Sequence, residues 1–355
     1  MNHPAEPQAT HARDPEPAGD SVNKLTLSVV VPTRNRAPRL GPLLDRLLAE
    51  KTADDVVVVD DGSTDSTREL LQARAAAQTR LAAQAPGIPR LVVVPGPAKG
   101  PLQARVAGVE AASGTIVLLL DDDVLPDPGL AEGHLRHHRT IADLLVLGYM
   151  PTRLPERDGA DTFTTRLYAA EYEGRCATFD DDPGLVLKHL WMGNMSLPRE
   201  RFLDVTVRTD APLPPFRHED QEIGLRLAAL GMTAVFDRSL HGVHEHRRTL
   251  PQFRRDCRLD GAGTALLDRD HPGLYGEPGI ARFRTGVSRP LAAAISATTR
   301  PVTDRAMAGA LAAGVKVTGA LGVAGPQLAT ARLLRRVELQ RGYLLQATGT
   351  GDPRV

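Results

Sequence analysis

Residues 27–71 read LSVVVPTRNRAPRLGPLLDRLLAEKTADDVVVVDDGSTDSTRELL, and the fold follows from this stretch. Its two β-branched runs, 27–31 and 56–59, carry no charge and no polarity beyond Ser28, the pattern of parallel strands covered on both faces. Between them Leu40, Leu43, Leu44, Leu47 and Leu48 recur at spacings of three and four, which predicts a helix with one apolar face. Each run ends in polar residues: Pro32, Thr33, Arg34 and Asn35 after the first, Asp60, Asp61, Gly62, Ser63, Thr64 and Asp65 after the second. The unit repeats with a strand at 91–94, a turn at 96–100, a helix at 102–112, and a strand at 116–120 that ends in Asp121, Asp122 and Asp123. This βαβαβαβ order predicts an α/β fold, a Rossmann-like, mainly parallel sheet flanked by helices. The polar clusters then share the carboxyl edge of the sheet, where such folds bind ligands.

Composition narrows the function. Lys+Arg and Asp+Glu number 43 each, so the chain lacks the net positive field of a polyanion binder, and nucleic acid is not an expected partner. With 42% hydrophobic and 24% charged residues the 355-residue chain is globular rather than disordered. Cys176 and Cys257 are too few for a disulfide framework or a thiolate zinc site and suggest a reducing compartment.

Residues 1–22 hold four prolines and no apolar run, so a disordered tail is expected there, and no secretory signal precedes Leu25. A cytoplasmic protein is the expectation. The Ala-rich region 285–355 reads as a helical C-terminal extension. Its segment 306–325 is nearly uncharged, but Ala and Gly contribute little transfer energy and Lys316 interrupts it. A packed helical hairpin is expected, with peripheral contact at the cytosolic face of a membrane or homo-oligomerisation as further roles. Pro326 is a candidate N1 residue for the last helix, Leu328, Leu333, Leu334, Val337 and Leu344 its apolar face, and Gly342 a candidate interruption.

Three adjacent carboxylates at a strand terminus repel unless a cation or protons intervene. Hard oxygen ligands point to Mg2+ or Mn2+, which commonly bridge a carboxylate to substrate phosphates. The second acidic run, Phe179-Asp180-Asp181-Asp182, has no apolar strand before it and reads as solvated.

The segments SVVVPTRNR, VVVVDDGSTDST, LLLDDDVLP, WMGNMSLPRERF and HEDQEIGLRLAALG occur in the order seen in family 2 glycosyltransferases of the GT-A fold, and residues 25–263 resemble that family. The resemblance implies a GT-A domain over 23–284, with a nucleotide-binding half at about 23–125 and an acceptor half at about 126–284. It implies an inverting, metal-dependent transfer of a sugar from a nucleoside-diphosphate sugar to a hydroxyl acceptor, whether a glycan, a lipid-linked intermediate or a small molecule. Pro32, Thr33 and Arg36 would border the nucleotide, and one of the Asp60-Asp61 pair would meet the base. Asp60 and Asp65 also read as a turn cap and a helix cap. Lys99, Gly100 and Arg105 would lie beside the nucleotide, although Arg105 also reads as a surface helix cation. Asp121 would contact the ribose and Asp123 the metal, with Asp122 facing solvent.

By the same resemblance Asp220 would be the general base and Glu219 would orient the acceptor, while His218-Glu219-Asp220 also reads as ordinary acidic capping of a helix. An ordinary Asp pKa would suffice for that base. Trp191, Gly193, Asn194 and His218 would form the acceptor or sugar pocket, Trp191 by stacking on a sugar face or else as plain core. His244 is the first choice for a histidine ligand to the metal, with His246 on the same strand face by the two-residue period. Arg247 and Arg248 are candidates to clamp diphosphate oxygens. The interval 151–188 breaks the alternation and is expected to carry the acceptor loop. A nucleotidyltransferase uses similar carboxylates but would show a Gly-rich basic loop after the first strand, where Pro32-Thr33-Arg34-Asn35 has no glycine. A non-catalytic nucleotide-sugar-binding protein would not need all these motifs intact.

Overall fold

Period-2 alternation explains why the first strand is buried from end to end. In the computed structural model, Val29 and Val31 of β1 (Leu27–Thr33) pack beneath α1 (Ala37–Ala49), while Val30 faces Ala104 and Val109 of α3 (Pro101–Ala111) on the opposite side of the sheet. The structure describes residues 25–85, 87–156, 159, 161–210, 212–214, 217–276, 279–284, 288–296, 301–350 and 352. The tail expected at 1–22 lies outside them. β2 (Asp55–Asp60), α2 (Thr67–Gln84), β3 (Arg90–Pro95) and β4 (Ile116–Leu120) complete the first half as the sequence predicts. A methyl on Gly108 of α3 would overlap Val30 and lie 2.9 Å from Val59, so glycine is what lets this helix lie flat on the sheet.

Beyond β4 the chain runs through β5 (Val124–Pro126), α4 (Leu130–His138), β6 (Leu144–Tyr149), α5 (Thr162–Asp181), α6 (Leu185–Lys188), β7 (Asn194–Pro198), α7 (Arg199–Thr206), α8 (Glu219–Ala229) and β8 (Thr233–His244). The sheet order is β3-β2-β1-β4-β7-β6-β8-β5. The first four neighbours are parallel, β7 runs antiparallel to both β4 and β6, and β5 pairs antiparallel with β8. The interval 151–188, expected as a loop, is mostly α5. Its closing acidic run is solvated as read: Asp180 pairs with Arg238 at 2.8 Å, and Asp181 is exposed.

α9 (Leu250–Asp270) begins at a capping box between Thr249 and Gln252. The chain then passes through α10 (Arg289–Ser296) into a hairpin of α11 (Pro301–Ala320) and α12 (Ala324–Thr348). The domain boundary expected after 284 adjoins residues 285–287, which are outside the described residues. α12 begins two residues before Pro326, which sits in the first turn, where a missing N–H breaks no intrahelical bond. Nor does Gly342 interrupt α12. It is the point where α12 meets the Arg258 backbone of α9, so closely that any side chain would collide. Between the two helices Glu338 is fully buried and bonded to Arg254 at 2.5 Å and Arg258 at 3.1 Å, an ionic contact that the hairpin's apolar pattern does not announce. No described helix is long and apolar enough to cross a membrane.

Candidate functional site

The carboxyl edge of the sheet opens into a cavity of about 740 Å³. Its first wall is made by the strand ends. Of the aspartate pair after β2, Asp60 is occupied: it accepts from the Ser63 N–H at 2.9 Å and from Arg68 Nε at 3.1 Å, and it does not line the cavity. Burial works to raise its pKa, but the Ser63 and Arg68 bonds hold it below the ordinary Asp value. Asp61 faces in. Its Oδ2 accepts the Gly100 N–H at 3.0 Å, while its Oδ1 is buried with no partner. Gly96 permits this approach, since a Cβ there would lie 2.8 Å from the Asp61 Cα. At Gly100, φ is +102°, and the turn brings Gly100 and Pro101 to the cavity while leaving Lys99 exposed outside it. The expected nucleotide contact by Lys99 is therefore not in place.

The aspartates after β4 have three different environments. Asp121 pairs with Arg105, which is buried and not the surface cation its helical position allowed. Burial lowers the Arg105 pKa, yet Asp121, Asp220 and Glu219 together raise it above the usual value. Asp122 does not face solvent: it accepts from the Thr33 hydroxyl at 2.8 Å and from Arg36 Nε at 3.2 Å, and burial pushes its carboxyl up to about 6 against the pull of Arg36. The first-strand residues Thr33 and Arg36 thus reach the site through the middle aspartate. Asp123 lies 3.4 Å from His244 Nε2 and 3.5 Å from Arg36. Burial would raise Asp123, but His244, Arg36 and Arg248 hold it low.

The register of β5 with β8 makes the Asp123–His244 pair. Val124 stands opposite His244, and the Glu245 N–H donates to the Asp123 carbonyl at 2.8 Å. β8 ends at His244, so the strand-face argument does not extend to His246, whose ring stacks on Tyr168 at 4.0 Å. Arg248 lines the cavity and pairs with Asp256 at 3.2 Å, whereas Arg247 is exposed. The 3.4 Å between Asp123 Oδ1 and His244 Nε2 is close to the about 3 Å that separates neighbouring ligands of an octahedral divalent ion. One carboxylate with one imidazole suits Mn2+ better than Mg2+. Among the described residues no group of three or more His, Cys, Asp or Glu could hold a metal, so an ion placed here would have these two protein ligands and would need others from substrate or water.

The opposite wall carries the second acidic motif. Asp220, in the first turn of α8, accepts the Met192 N–H at 3.1 Å. Burial pushes its carboxyl up to about 7, with Glu219 adding to the rise and Arg105 opposing it, so the candidate base is not the ordinary aspartate expected from the sequence. Glu219 Oε2 is buried without a partner. Trp191 packs against Tyr172 and Phe179 with ring centroids 5.1 Å away in each case, but it also lines the cavity, and its indole N–H is buried and unpaired. Gly193 leaves room for Asp121 Oδ2, 3.0 Å from where a Cβ would sit.

Asn194 and His218 are not pocket residues. His218 is absent from the large cavity and borders a smaller one of about 190 Å³; its Nε2 donates to the Asp260 carbonyl at 2.9 Å. Asn194 is fully buried on the α4 side of the sheet. Its amide donates to the Leu240 carbonyl at 3.0 Å, so its Oδ1 accepts from His134 Nε2 at 3.0 Å. His134 Nδ1 then accepts from the Ser196 hydroxyl at 2.9 Å, and His138 Nε2 donates to the same oxygen at 2.8 Å. The neutral rings satisfy this chain, and burial pushes His134 down to about 3 and His138 to about 4. Unfolded, each titrates near 6.5. Between those values the unfolded chain binds more protons, so stability falls as pH drops below about 6.5, by up to about 1.4 kcal/mol per pH unit for each histidine. Urea midpoints measured from pH 7 to 5 should show this slope, and His138→Gln should flatten it.

Sequence reasoning missed the α5 face. Tyr168, Glu171, Tyr172 and Arg175 line the cavity at helical spacing, with Asp260 of α9 and Arg335 of α12 opposite. The i, i+3, i+4, i+7 recurrence was the available signal.

The Glycosyl transferase family 2 profile matches residues 28–173. A validoxylamine A glucosyltransferase of Streptomyces hygroscopicus subsp. jinggangensis is 30% identical over 247 residues, 63% of this chain and 56% of the relative. A glucosyl-3-phosphoglycerate synthase of Mycobacterium tuberculosis is 34% identical over 107 residues, 29% of this chain and 31% of the relative. The chain thus spans little more than half the length of the first relative and less than a third of the second. A mannosyltransferase from Pyrobaculum calidifontis, solved with GDP-Man and Mn2+, superposes with a TM-score of 0.53 at 21% identity, covering 92% of this chain and 86% of that one. The fold is GT-A, an α/β sheet with its site at the strand carboxyl ends. Residues 28–173 thus resemble glycosyltransferase family 2.

Proposed function

We propose that this protein transfers a sugar from a nucleoside-diphosphate sugar to a hydroxyl acceptor with inversion at the anomeric carbon, dependent on Mn2+ or Mg2+. The observation that carries this reading is one cavity lined by Asp61, the Asp123–His244 pair and Asp220. Asp61 Oδ1, an unpartnered acceptor, suits an N–H of the base. Asp121, anchored by Arg105, would contact the ribose. Asp123 and His244 would hold the metal, which when bound neutralises charge growing on the departing diphosphate. Asp220 removes the proton from the acceptor hydroxyl as the new carbon–oxygen bond forms and the bond to the diphosphate breaks on the opposite face. No protein nucleophile takes part.

The acceptor end, bordered by Trp191, Tyr172, Glu171, Arg175 and Asp260, supports a polar, hydroxyl-rich acceptor, in keeping with the acceptor named for the Streptomyces relative. Cys176 and Cys257 are free and buried, which supports a cytosolic setting. A thermal-shift panel of UDP-, GDP- and dTDP-sugars with and without Mn2+ tests the donor site. One base should stabilise the protein only with metal, by about 2.7 kcal/mol at 100 times its Kd. No shift with any of them would overturn the reading.

A further inference from the structure

Two consecutive non-glycine residues in the left-handed region stand directly before the acidic motif: Arg217 has φ +49° and His218 φ +65°. Each is disfavoured on its own, and neither is Asn or Gly. Such a pair persists only where surrounding contacts hold it. Among the described residues, the side-chain contacts that hold it come from one helix, α9. Arg217 pairs with Asp256 at 3.1 Å and with Asp260 at 3.5 Å, while the Asp260 carbonyl accepts the His218 Nε2 proton at 2.9 Å. Gly263 completes the mount, since a methyl there would overlap the His218 ring and lie 3.0 Å from the Arg217 carbonyl oxygen.

α9 is fixed in turn from its other side. Gly261 meets the Leu339 backbone, Gly342 of α12 meets the Arg258 backbone, and Glu338 joins Arg254 and Arg258. A continuous packed path therefore runs from the C-terminal helix through α9 to the turn that begins α8, where Asp220 is the second residue. The 190 Å³ cavity bordering Arg217, His218 and Asp220 gives the turn room to relax if its anchors are lost.

We propose that Arg217 and His218 are positioning residues, a strained turn clamped by α9 and, behind it, α12, which aims the Asp220 carboxylate at the acceptor hydroxyl. The inference rests on Asp220 being the base. It also gives the C-terminal extension a part in catalysis, because α9 is held by α12 on the face opposite the turn. The charged groups that face Asp220 are Arg105, Glu219 and Asp121, and a displaced turn changes its distance to each.

The test approaches one contact from both sides. His218→Ala removes the ring and its bond, and Gly263→Ala pushes against the ring without entering the cavity; alanine also suits a helix interior better than glycine. Each variant should lower kcat about 10- to 100-fold, the scale of a misplaced catalytic group. Each should leave donor affinity unchanged and shift the pH midpoint of kcat. In the double variant the methyl occupies the vacated ring space, so the two losses should be less than additive. His218→Asn, which tolerates the left-handed conformation but is too short for Asp260, should recover part of the loss. Wild-type kcat and pH midpoint in both single variants, with only a lowered Tm, would overturn the inference and reduce the contact to a structural one. Undiminished transfer by Asp220→Asn would instead overturn the base assignment, whatever the turn variants do.

Discussion

Asp220→Asn loses about 10²- to 10⁴-fold in kcat while binding the nucleotide-sugar donor as the unmodified protein does, the range expected when a general base is removed. Asn preserves the shape of the side chain and its bond from the Met192 N–H, so the turn stays in place and only proton acceptance is lost. The pH dependence gives an independent reading. Burial and Glu219 raise the carboxyl well above an ordinary aspartate despite Arg105, toward about 7. Since the base acts only when ionised, kcat should rise with pH through a midpoint near 7 and level off above about 8. A base matched to the operating pH takes a proton more effectively than an aspartate near 4, and its environment keeps enough of it charged to work. Steady-state kinetics from pH 5.5 to 9 would read the midpoint directly. A flat profile across that range would dissociate Asp220 from the chemistry.

The second large effect is expected from Asp123→Ala. Removing one of two protein ligands leaves His244 alone, and metal-dependent donor binding should disappear. A loss on the order of 10³-fold or more in kcat/KM follows, since about 4 kcal/mol of charge stabilisation is withdrawn from the departing diphosphate. Calorimetric titration of Mn2+ in the presence of a nucleoside diphosphate measures the ligand role apart from turnover. Chelator treatment of the unmodified protein should reproduce the loss, and added Mn2+ should reverse it. Unchanged Mn2+ binding in the variant would move the metal seat elsewhere. Asp123 is held low by His244, Arg36 and Arg248, so it is already ionised and prepared for a cation at any pH where the base is active.

Much of the site was legible because the chemistry is local. Asp60 and Asp61 are neighbours, as are the three aspartates after β4, and a run of buried valines or leucines places each group at a strand end. What could not be read was which member of each group faces the ligand. Asp61 rather than Asp60 turns inward because Ser63 and Arg68 occupy Asp60, a matter of loop geometry. Asp122 was expected in solvent, yet Thr33 and Arg36 claim it from a loop 86 to 89 residues earlier. Asn194 and His218 carry polar groups that suggest a pocket, but both are spent on the fold: one on a buried histidine chain, the other on the backbone of α9.

Sequence alone determined the alternation of β and α, the edge of the sheet that binds and the acidic motifs placed there, because each depends on a short period or on adjacent residues. The tertiary structure alone decided that β5 and β8 bring His244 to Asp123 across 121 positions, and that α5 and Arg335 of α12 wall the cavity. It also decided that Arg105 is a buried counter-ion to Asp121. Such pairings depend on register between distant strands and on close backbone approach, and neither leaves a periodic mark in the chain.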